Sequence, residues 1–247
     1  CRPGVGGSYA QPPAKVAALS RNRPAQLGAK GQSFTAMTQS GALLVWGRVG
    51  SWRAGKKVCA LNFEGFKPVA VAPQDKRIFA AVEDGRVAYW PADDEFQDAE
   101  KTPTAGQREA TTRGEPMKTH ASRLIIAAQA RRLAPNPSLG YFSLGATEKA
   151  VSVSAGDSFL AILTARGVLY TLGENSHGQL GLGHRQSTTR PAMVSGLSGE
   201  RVLEVSSGFA HVLCRSASGR VFVWGEGGGY HLFDSSRGDR NEPTKVD

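Results

Sequence analysis

The chain is poor in cysteine, with three in 247 residues at positions 1, 59 and 214. These cysteines form no spacing motif, which argues against a secreted disulfide framework and favours an intracellular, reducing compartment. Long apolar runs are also lacking: none approaches the roughly 18 residues that a membrane span needs. We therefore expect no membrane insertion. A hydrophobic fraction of 40% is sufficient for a globular core.

Helical periodicity is nearly absent, and residues 121–133 are the weak exception. Instead, four stretches share one pattern, in which a turn glycine is followed five residues later by Trp or Leu. The four pairs are Gly41 and Trp46, Gly85 and Trp90, Gly167 and Leu172, and Gly219 and Trp224. Runs of β-branched and aromatic residues around a glycine turn predict a β-hairpin. Repeated short hairpins must stack to bury their faces, so the pattern predicts an all-β radial array.

The residues that open each copy are expected to form a turn at the end of the hairpin. Gly208 precedes His211 by three residues, and Phe159 and Phe34 stand at the corresponding place in two other copies. This interchange argues against catalysis by His211 and favours a structural role.

Between the third and fourth copies, the sequence reads Gly-Glu-Asn-Ser-His-Gly-Gln-Leu-Gly-Leu-Gly over residues 173–183. Together with its flanks over 151–225, it resembles a repeat of the regulator of chromosome condensation family. The motif residues for which the resemblance implies a structural role are Gly173, Asn175, Gly178, Gln179, Leu180, Gly181, Gly183, Gly208, His211, Gly219 and Trp224. The resemblance implies a β-propeller, typically of seven blades. Four clear hairpins, and a fifth predicted from residues 124–128 and 141–144, indicate an incomplete propeller or degenerate blades.

Changes in composition divide the chain into segments. Residues 1–26 form a basic, proline-containing arm, and residues 27–90 carry two degenerate repeats. Residues 91–119 are acidic and then polar, too poor in apolar side chains to order themselves, and are expected to form a long loop between blades or a passive linker. Residues 120–247 continue the same propeller, with the best-kept repeat at 151–225.

The charge is concentrated at one end. Residues 1–90 contain 13 Lys or Arg and 4 Asp or Glu, which gives +9, whereas residues 91–150 contain 8 and 8 and residues 151–247 contain 9 and 9. This asymmetry predicts contact with a polyanion, for which nucleic acid is the commonest candidate, and a solvated basic face is the open alternative. The candidate contact residues are Arg48, Arg53, Lys56, Lys57, Lys67, Lys76 and Arg77.

Signals for catalysis, a cofactor or a metal are weak. The five histidines show no ligand spacing and no cysteine pair assists them. The glycines at 225–229 lack the Lys-Ser/Thr of a phosphate-binding loop, and no serine stands in a nucleophile elbow. We expect no enzyme active site, no cofactor and no metal.

Three functional hypotheses remain open, because a fold does not decide a function. The first is a non-catalytic scaffold that docks through its loops and basic first repeats into a larger complex of proteins, with RNA contact, such as an organellar ribosome. The acid-poor N-terminal region favours the mitochondrion, with nucleus and cytoplasm left open. The second, implied by the resemblance, is a chromatin-linked nucleotide-exchange factor for a Ran-like GTPase. The third is a regulatory module of a larger enzyme.

Overall fold

The computed structural model describes residues 24–49, 52–53, 59–61, 66–74, 77–90, 140–228 and 238–246. These residues form four antiparallel sheets and one short 3-10 helix, Ser195–Leu197. No helix in this part of the chain is long and apolar enough to cross a membrane. The first sheet contains β1 (Pro24–Lys30), β2 (Ser33–Thr38), β3 (Leu43–Val49), β4 (Trp52–Arg53) and β5 (Cys59–Leu61). The second contains β6 (Pro68–Pro73), β7 (Ile78–Val82), β8 (Val87–Trp90) and β9 (Gly140–Phe142). The third contains β10 (Ala150–Ala155), β11 (Phe159–Thr164), β12 (Leu169–Gly173) and β13 (Thr188–Met193). The fourth contains β14 (Val202–Ser207), β15 (His211–Ser216), β16 (Val221–Gly225) and β17 (Arg240–Val246).

Each sheet is a meander in which consecutive strands pair, and β4 and β5 both pair with β3. The hairpins predicted from the turn glycines are the second and third strands of the four sheets, and this prediction is confirmed. The all-β array of repeated sheets is likewise confirmed. The outer strands β13 and β17 are mostly polar, and each contains a proline, Pro191 or Pro243. An outer edge tolerates proline because it needs hydrogen bonds on one side only.

The core lies between the sheets. The first strand of each following sheet packs against the first two strands of the sheet before it, which makes β1, β6, β10 and β14 the innermost strands. Separate apolar clusters fill the three junctions between consecutive sheets, around Trp90, Phe79 and Trp224 respectively. Burying one such side chain contributes roughly 1.5–3 kcal/mol, so the stacking of neighbours stabilises each sheet.

The fifth hairpin, predicted from residues 124–128 and 141–144, is described only in its second half. The strand β9, which contains Tyr141 and Phe142, pairs with β8 and completes the second sheet, while residues 124–128 lie outside the described residues. Aromatic contacts hold β9 there: the Phe142 ring lies 6.1 Å from Tyr89, and the guanidinium of Arg86 lies 4.6 Å from the centre of the Tyr141 ring. Residues 91–139 stand in the chain between two strands of the same sheet and lie outside the described residues, so the long loop or linker at 91–119 stays a prediction.

Two further details differ from the sequence prediction. The first strand begins at Pro24, inside the predicted arm. Phe34 pairs with Trp46, whereas Phe159 and His211 pair with the glycine that follows the Trp or Leu position of their sheets. Ser33 is therefore the counterpart of Phe159 and His211. Because successive side chains of a strand face opposite sides, this offset leaves Phe34 39% exposed while Phe159 is buried.

Candidate interaction surfaces

The meander gives the stacked sheets two faces. The turns between first and second strands and the loops between third and fourth strands lie at one end, which we call the upper face. The turns between second and third strands and the connections between sheets lie at the other end, the lower face. The connections from third to fourth strand are the long ones: they span residues 91–139, 174–187 and 226–239 in the last three sheets, and of these the structure describes 174–187, 226–228 and 238–239. Loops positioned by rigid strands commonly carry binding, so the upper face is the first candidate surface.

The Gly-Gln-Leu-Gly loop of the third sheet is held by a buried asparagine. The Asn175 side-chain amide donates to the carbonyls of His184 at 2.7 Å and Gln186 at 3.1 Å, and its oxygen accepts from the Leu180 N–H at 2.9 Å. These bonds fold the loop back on itself and bury Leu180 completely.

The same loop joins the third sheet to the fourth. The Trp224 indole, fully buried, donates to the carbonyl of Gln179 at 3.0 Å. Gly181 has a φ of +68°, and a Cβ there would lie 2.7 Å from the indole nitrogen. Gly183 donates its N–H to the carbonyl of Asn241 in β17 at 2.8 Å. These contacts give the motif a structural function, which the resemblance implied.

Three further motif glycines lie at strand ends or in the turns between strands. Gly173 and Gly219 have φ values of +114° and +80°, which lie in the left-handed region. Gly208 lies directly beneath the His211 ring, so that a side chain there would collide with it. His211 is half-buried in this contact.

An ion cluster on the upper face adds a second link between the last two sheets. The Asp239 carboxylate accepts from the Gly227 N–H at 3.1 Å, and it lies 3.1 Å from Nδ1 of His177 and 3.3 Å from Arg185. Partial burial by itself would raise the pKa of Asp239. The hydrogen bonds from Gly227 and His177 and the nearby positive charges outweigh it, so this pKa lies below its ordinary value.

A cavity of about 380 Å³ opens between the second and third sheets, at the ends of β7, β11 and β12. Apolar side chains of Phe79, Phe159, Leu160 and Leu172 form part of its wall. The polar and charged residues around it are Gln74, Arg77, Asp157, Ser158, Glu174, Ser187, Thr188 and Thr189. Among the described residues, no group of three or more His, Cys, Asp or Glu side chains is arranged to hold a metal.

Gln74 connects three sheets and was missed by the sequence analysis. Its N–H donates to the carbonyl of Arg77 at 2.7 Å, and its side-chain amide donates to the carbonyls of Gly156 at 3.2 Å and Phe159 at 3.3 Å. Its own carbonyl accepts from the Ser33 hydroxyl at 3.3 Å. Gln74 and Arg77 together replace the glycine and the ring of the third and fourth copies, and this paired replacement was the available signal.

The structure does not bring the seven predicted contact residues onto one surface. Arg48 and Arg53 are opposite each other in the β3–β4 pair at the upper face. Arg77 is 7% exposed and lines the cavity, because it occupies the ring position of its repeat, so its assignment to an exposed basic surface is wrong. Lys67 is exposed, but it precedes β6 on the lower face. Lys56, Lys57 and Lys76 lie outside the described residues.

Exposed aromatic side chains mark the upper face more clearly than charge does. Phe209, in the turn between β14 and β15, is 62% exposed. Its carbonyl accepts from the Asp157 N–H at 2.9 Å, which fixes the turn while the ring stays in solvent. Nearby, the Lys30 ammonium reaches the carbonyl of Gly208 at 3.5 Å. Phe34 stacks on Trp46 with ring centres 5.7 Å apart.

Two sequence models of the regulator of chromosome condensation (RCC1) repeat match the chain, at residues 166–215 and 150–179. The serine/threonine-protein kinase Nek8 of Danio rerio is 39% identical over 95 residues, which are 38% of this chain and 14% of Nek8. The RCC1 domain-containing protein RUG3, mitochondrial, of Arabidopsis thaliana is 26% identical over 225 residues, which are 88% of this chain and 45% of RUG3.

Among solved structures, human WBSCR16 superposes with a TM-score of 0.68 at 17% identity, covering 92% of this chain and 53% of that one. This likeness concerns the fold alone. The chain spans about half the length of RUG3 and of the WBSCR16 structure.

Proposed function

We propose that this chain, which carries a regulator of chromosome condensation repeat at residues 150–215, is a non-catalytic interaction protein that docks through its upper face into a larger assembly. The observation that carries the proposal is the exposure of Phe209 at 62% on a turn whose backbone is fixed. Aromatic side chains presented on rigid supports are the residues that dominate protein–protein binding energy. They cost little conformational entropy when they become buried in a partner.

The distribution of charge indicates which kind of partner the proposed assembly contains. The net charge of +9 lies within residues 1–90, and Arg48 and Arg53 stand at the upper end of the first sheet. A basic segment that also presents an exposed aromatic ring, Phe34, suits a partner that contains both protein and RNA. We therefore propose a ribonucleoprotein, such as an organellar ribosome. The similarity to RUG3, whose name places it in the mitochondrion, supports a mitochondrial location.

The test is co-sedimentation of the tagged chain with large ribonucleoprotein particles on a sucrose gradient. Phe209→Ala should move the chain to the free fractions, because loss of an aromatic anchor weakens binding by about 30-fold or more. Met193→Ala is the matched control, since Met193 is also exposed but lies on the outer strand β13. Incorporation of Phe209→Ala at the wild-type level would refute docking through the upper face.

The contribution of charge is tested separately. Reversal of Arg53, Lys56 and Lys57 to Glu should release the chain at lower salt than wild type, because phosphate contacts weaken steeply as salt rises. Arg190→Glu, on β13, is the control for a reversed surface charge. If the triple variant and the wild type dissociate at the same salt concentration, the RNA contact is wrong while docking through Phe209 can still stand.

A further inference from the structure

The lower face carries one cation at the same place in three consecutive sheets. Lys67, Lys149 and Arg201 each stand immediately before the innermost strand of their sheet and are exposed. Their carbonyls accept equivalent hydrogen bonds from the turn that ends the second strand. The donors are the N–H groups of Glu83 at 2.9 Å, Ala165 at 2.9 Å and Ala217 at 2.7 Å. The three residues are therefore equivalent in position as well as in charge.

The stem of each of these cations rests on the turn glycine of the preceding sheet. A Cβ on Gly41 would lie 2.7 Å from Cγ of Lys67, and a Cβ on Gly85 would lie 2.7 Å from Cγ of Lys149. Gly167 meets Cγ of Arg201 in the same way. The glycines let the aliphatic stems lie against the backbone while the charged ends stay in solvent. A held stem has less conformational entropy to lose when its charge binds a partner.

The other arginines near these turns are already neutralised. Arg86 pairs with Asp84 at 2.7 Å and Arg166 with Glu148 at 2.9 Å. Arg220 pairs with Glu200.

Within the described residues, by contrast, no carboxylate pairs with Lys67, Lys149 or Arg201. Glu83 is an exposed carboxylate on the turn of the second sheet and offsets part of this charge. Among the described residues near these turns, the cations without an ion pair are thus Lys67, Lys149 and Arg201, which occupy the same position in three consecutive sheets.

An exposed aliphatic residue follows each cation at a distance of two positions. Val69, Val151 and Leu203 are each 42% exposed. Each lies where the pairing of the innermost strand shifts by one residue, as in a β-bulge. A bulge takes one residue out of the regular ladder and redirects its side chain. Each of the three sheets therefore presents an exposed cation and an exposed aliphatic group two positions apart at the lower end of its innermost strand.

We infer that these six residues, which we call the lower ring (Lys67, Val69, Lys149, Val151, Arg201 and Leu203), bind an acidic segment of a partner protein that also carries large apolar side chains. Carboxylates of such a segment would meet the unpaired cations, and its apolar side chains would cover Val69, Val151 and Leu203. A phosphodiester backbone supplies the charge but no apolar side chain to cover these groups. The lower ring is thus separate from the upper face of the proposed function and goes beyond it.

The inference is tested by fluorescence polarisation with the full chain at physiological ionic strength. The probe is a short labelled peptide of Glu and Leu, compared with the same peptide in which Ser replaces every Leu. We expect the Leu peptide to bind more tightly than the Ser peptide. Lys149→Gln combined with Arg201→Gln should weaken Leu-peptide binding about tenfold, as expected for the loss of two exposed charge contacts. Val151→Ser combined with Leu203→Ser should weaken the Leu peptide and leave the Ser peptide unchanged.

Arg190→Gln is the matched control, because Arg190 is an exposed arginine without an ion pair among the described residues and lies on β13. Circular dichroism verifies that each variant folds. Equal binding of the two peptides, or a loss of affinity in Arg190→Gln as large as in the Lys149→Gln and Arg201→Gln double variant, would overturn the inference. A poly(U) oligonucleotide that binds, loses affinity with the Gln variants and ignores the Ser variants would replace it by an RNA contact. None of these outcomes depends on Phe209.

Discussion

Gly181→Ala should destabilise the junction between the third and fourth sheets by more than its backbone conformation alone would cost. A non-glycine residue at a φ of +68° costs roughly 1–2 kcal/mol. The added Cβ would also lie 2.7 Å from Nε1 and 3.0 Å from Cε2 of Trp224. The indole cannot move freely, because it is fully buried and donates to Gln179. Overpacking of this kind adds about 1–3 kcal/mol. We therefore expect a total loss of about 2–5 kcal/mol.

Gly199→Ala separates the two contributions. Gly199 has a φ of +88°, and a Cβ there would meet no atom within 4 Å. It should therefore lose only the backbone contribution of roughly 1–2 kcal/mol. The measurement is urea unfolding followed by circular dichroism, with the slope compared between variants to verify a common unfolding reaction. Equal losses in the two variants would refute the idea that the motif glycine makes room for Trp224.

Two further predictions concern titratable groups in the last two sheets. Because the folded-state pKa of Asp239 is lowered, its carboxylate stabilises the fold above its unfolded pKa and this contribution disappears as pH falls through the folded value. Asp239→Asn should therefore cost about 1 kcal/mol at neutral pH, and the difference in Tm from wild type should shrink as pH falls below the ordinary carboxyl range; a difference that stays constant with pH contradicts this. Burial, with a smaller effect of Glu200, raises the pKa of Cys214 from 9.0 to about 12, so its thiolate fraction at neutral pH falls about a thousandfold. Iodoacetamide should label Cys214 slowly in the folded chain and rapidly in urea, as measured by peptide mapping, and equal rates would show that the site is open.

The hairpins could be predicted from sequence because each carries its own local signal. A turn glycine followed by alternating β-branched and aromatic residues specifies both the turn and the paired strands. The fourth strands carry no such signal. Thr188–Met193 and Arg240–Val246 are mostly polar edge strands, and they form only because the neighbouring strand pairs with them. β9 is separated in the chain from its partner β8 by residues 91–139. Pairing between distant segments is set by tertiary packing, which local patterns do not contain.

The placement of single residues was harder to predict for a related reason. The spacing from the opening glycine to the Trp or Leu is one residue shorter in the first copy than in the third and fourth. Trp46 follows Gly31 by 15 positions, whereas Leu172 follows Gly156 by 16. That difference was visible in the sequence and shifts Phe34 to the opposite side of its strand. The positions of Lys67 on the lower face and Arg77 at the cavity depend on where each strand begins. Net charge describes the whole segment but cannot assign a residue to a face.

The polar contacts that join the third sheet to the fourth differ from those that join it to the second. This difference explains how a segment as long as residues 91–139 can stand between β8 and β9 of the second sheet. Towards the fourth sheet, the loop from third to fourth strand supplies Gln179 and Leu180, and Trp224 binds to them. Towards the second sheet, Leu172 stands at the Trp position and has no indole N–H that needs an acceptor. Gln74 supplies the polar link instead, through the carbonyls of the third sheet, and the cavity lies beside it. In the described part of this junction, the hydrogen bonds that join the two sheets come from Gln74, before β7, and from the Gly85 carbonyl between β7 and β8, which accepts from the Ala150 N–H at 2.9 Å. Neither group belongs to residues 91–139, so we expect the third sheet to stay attached when that segment varies in length and composition.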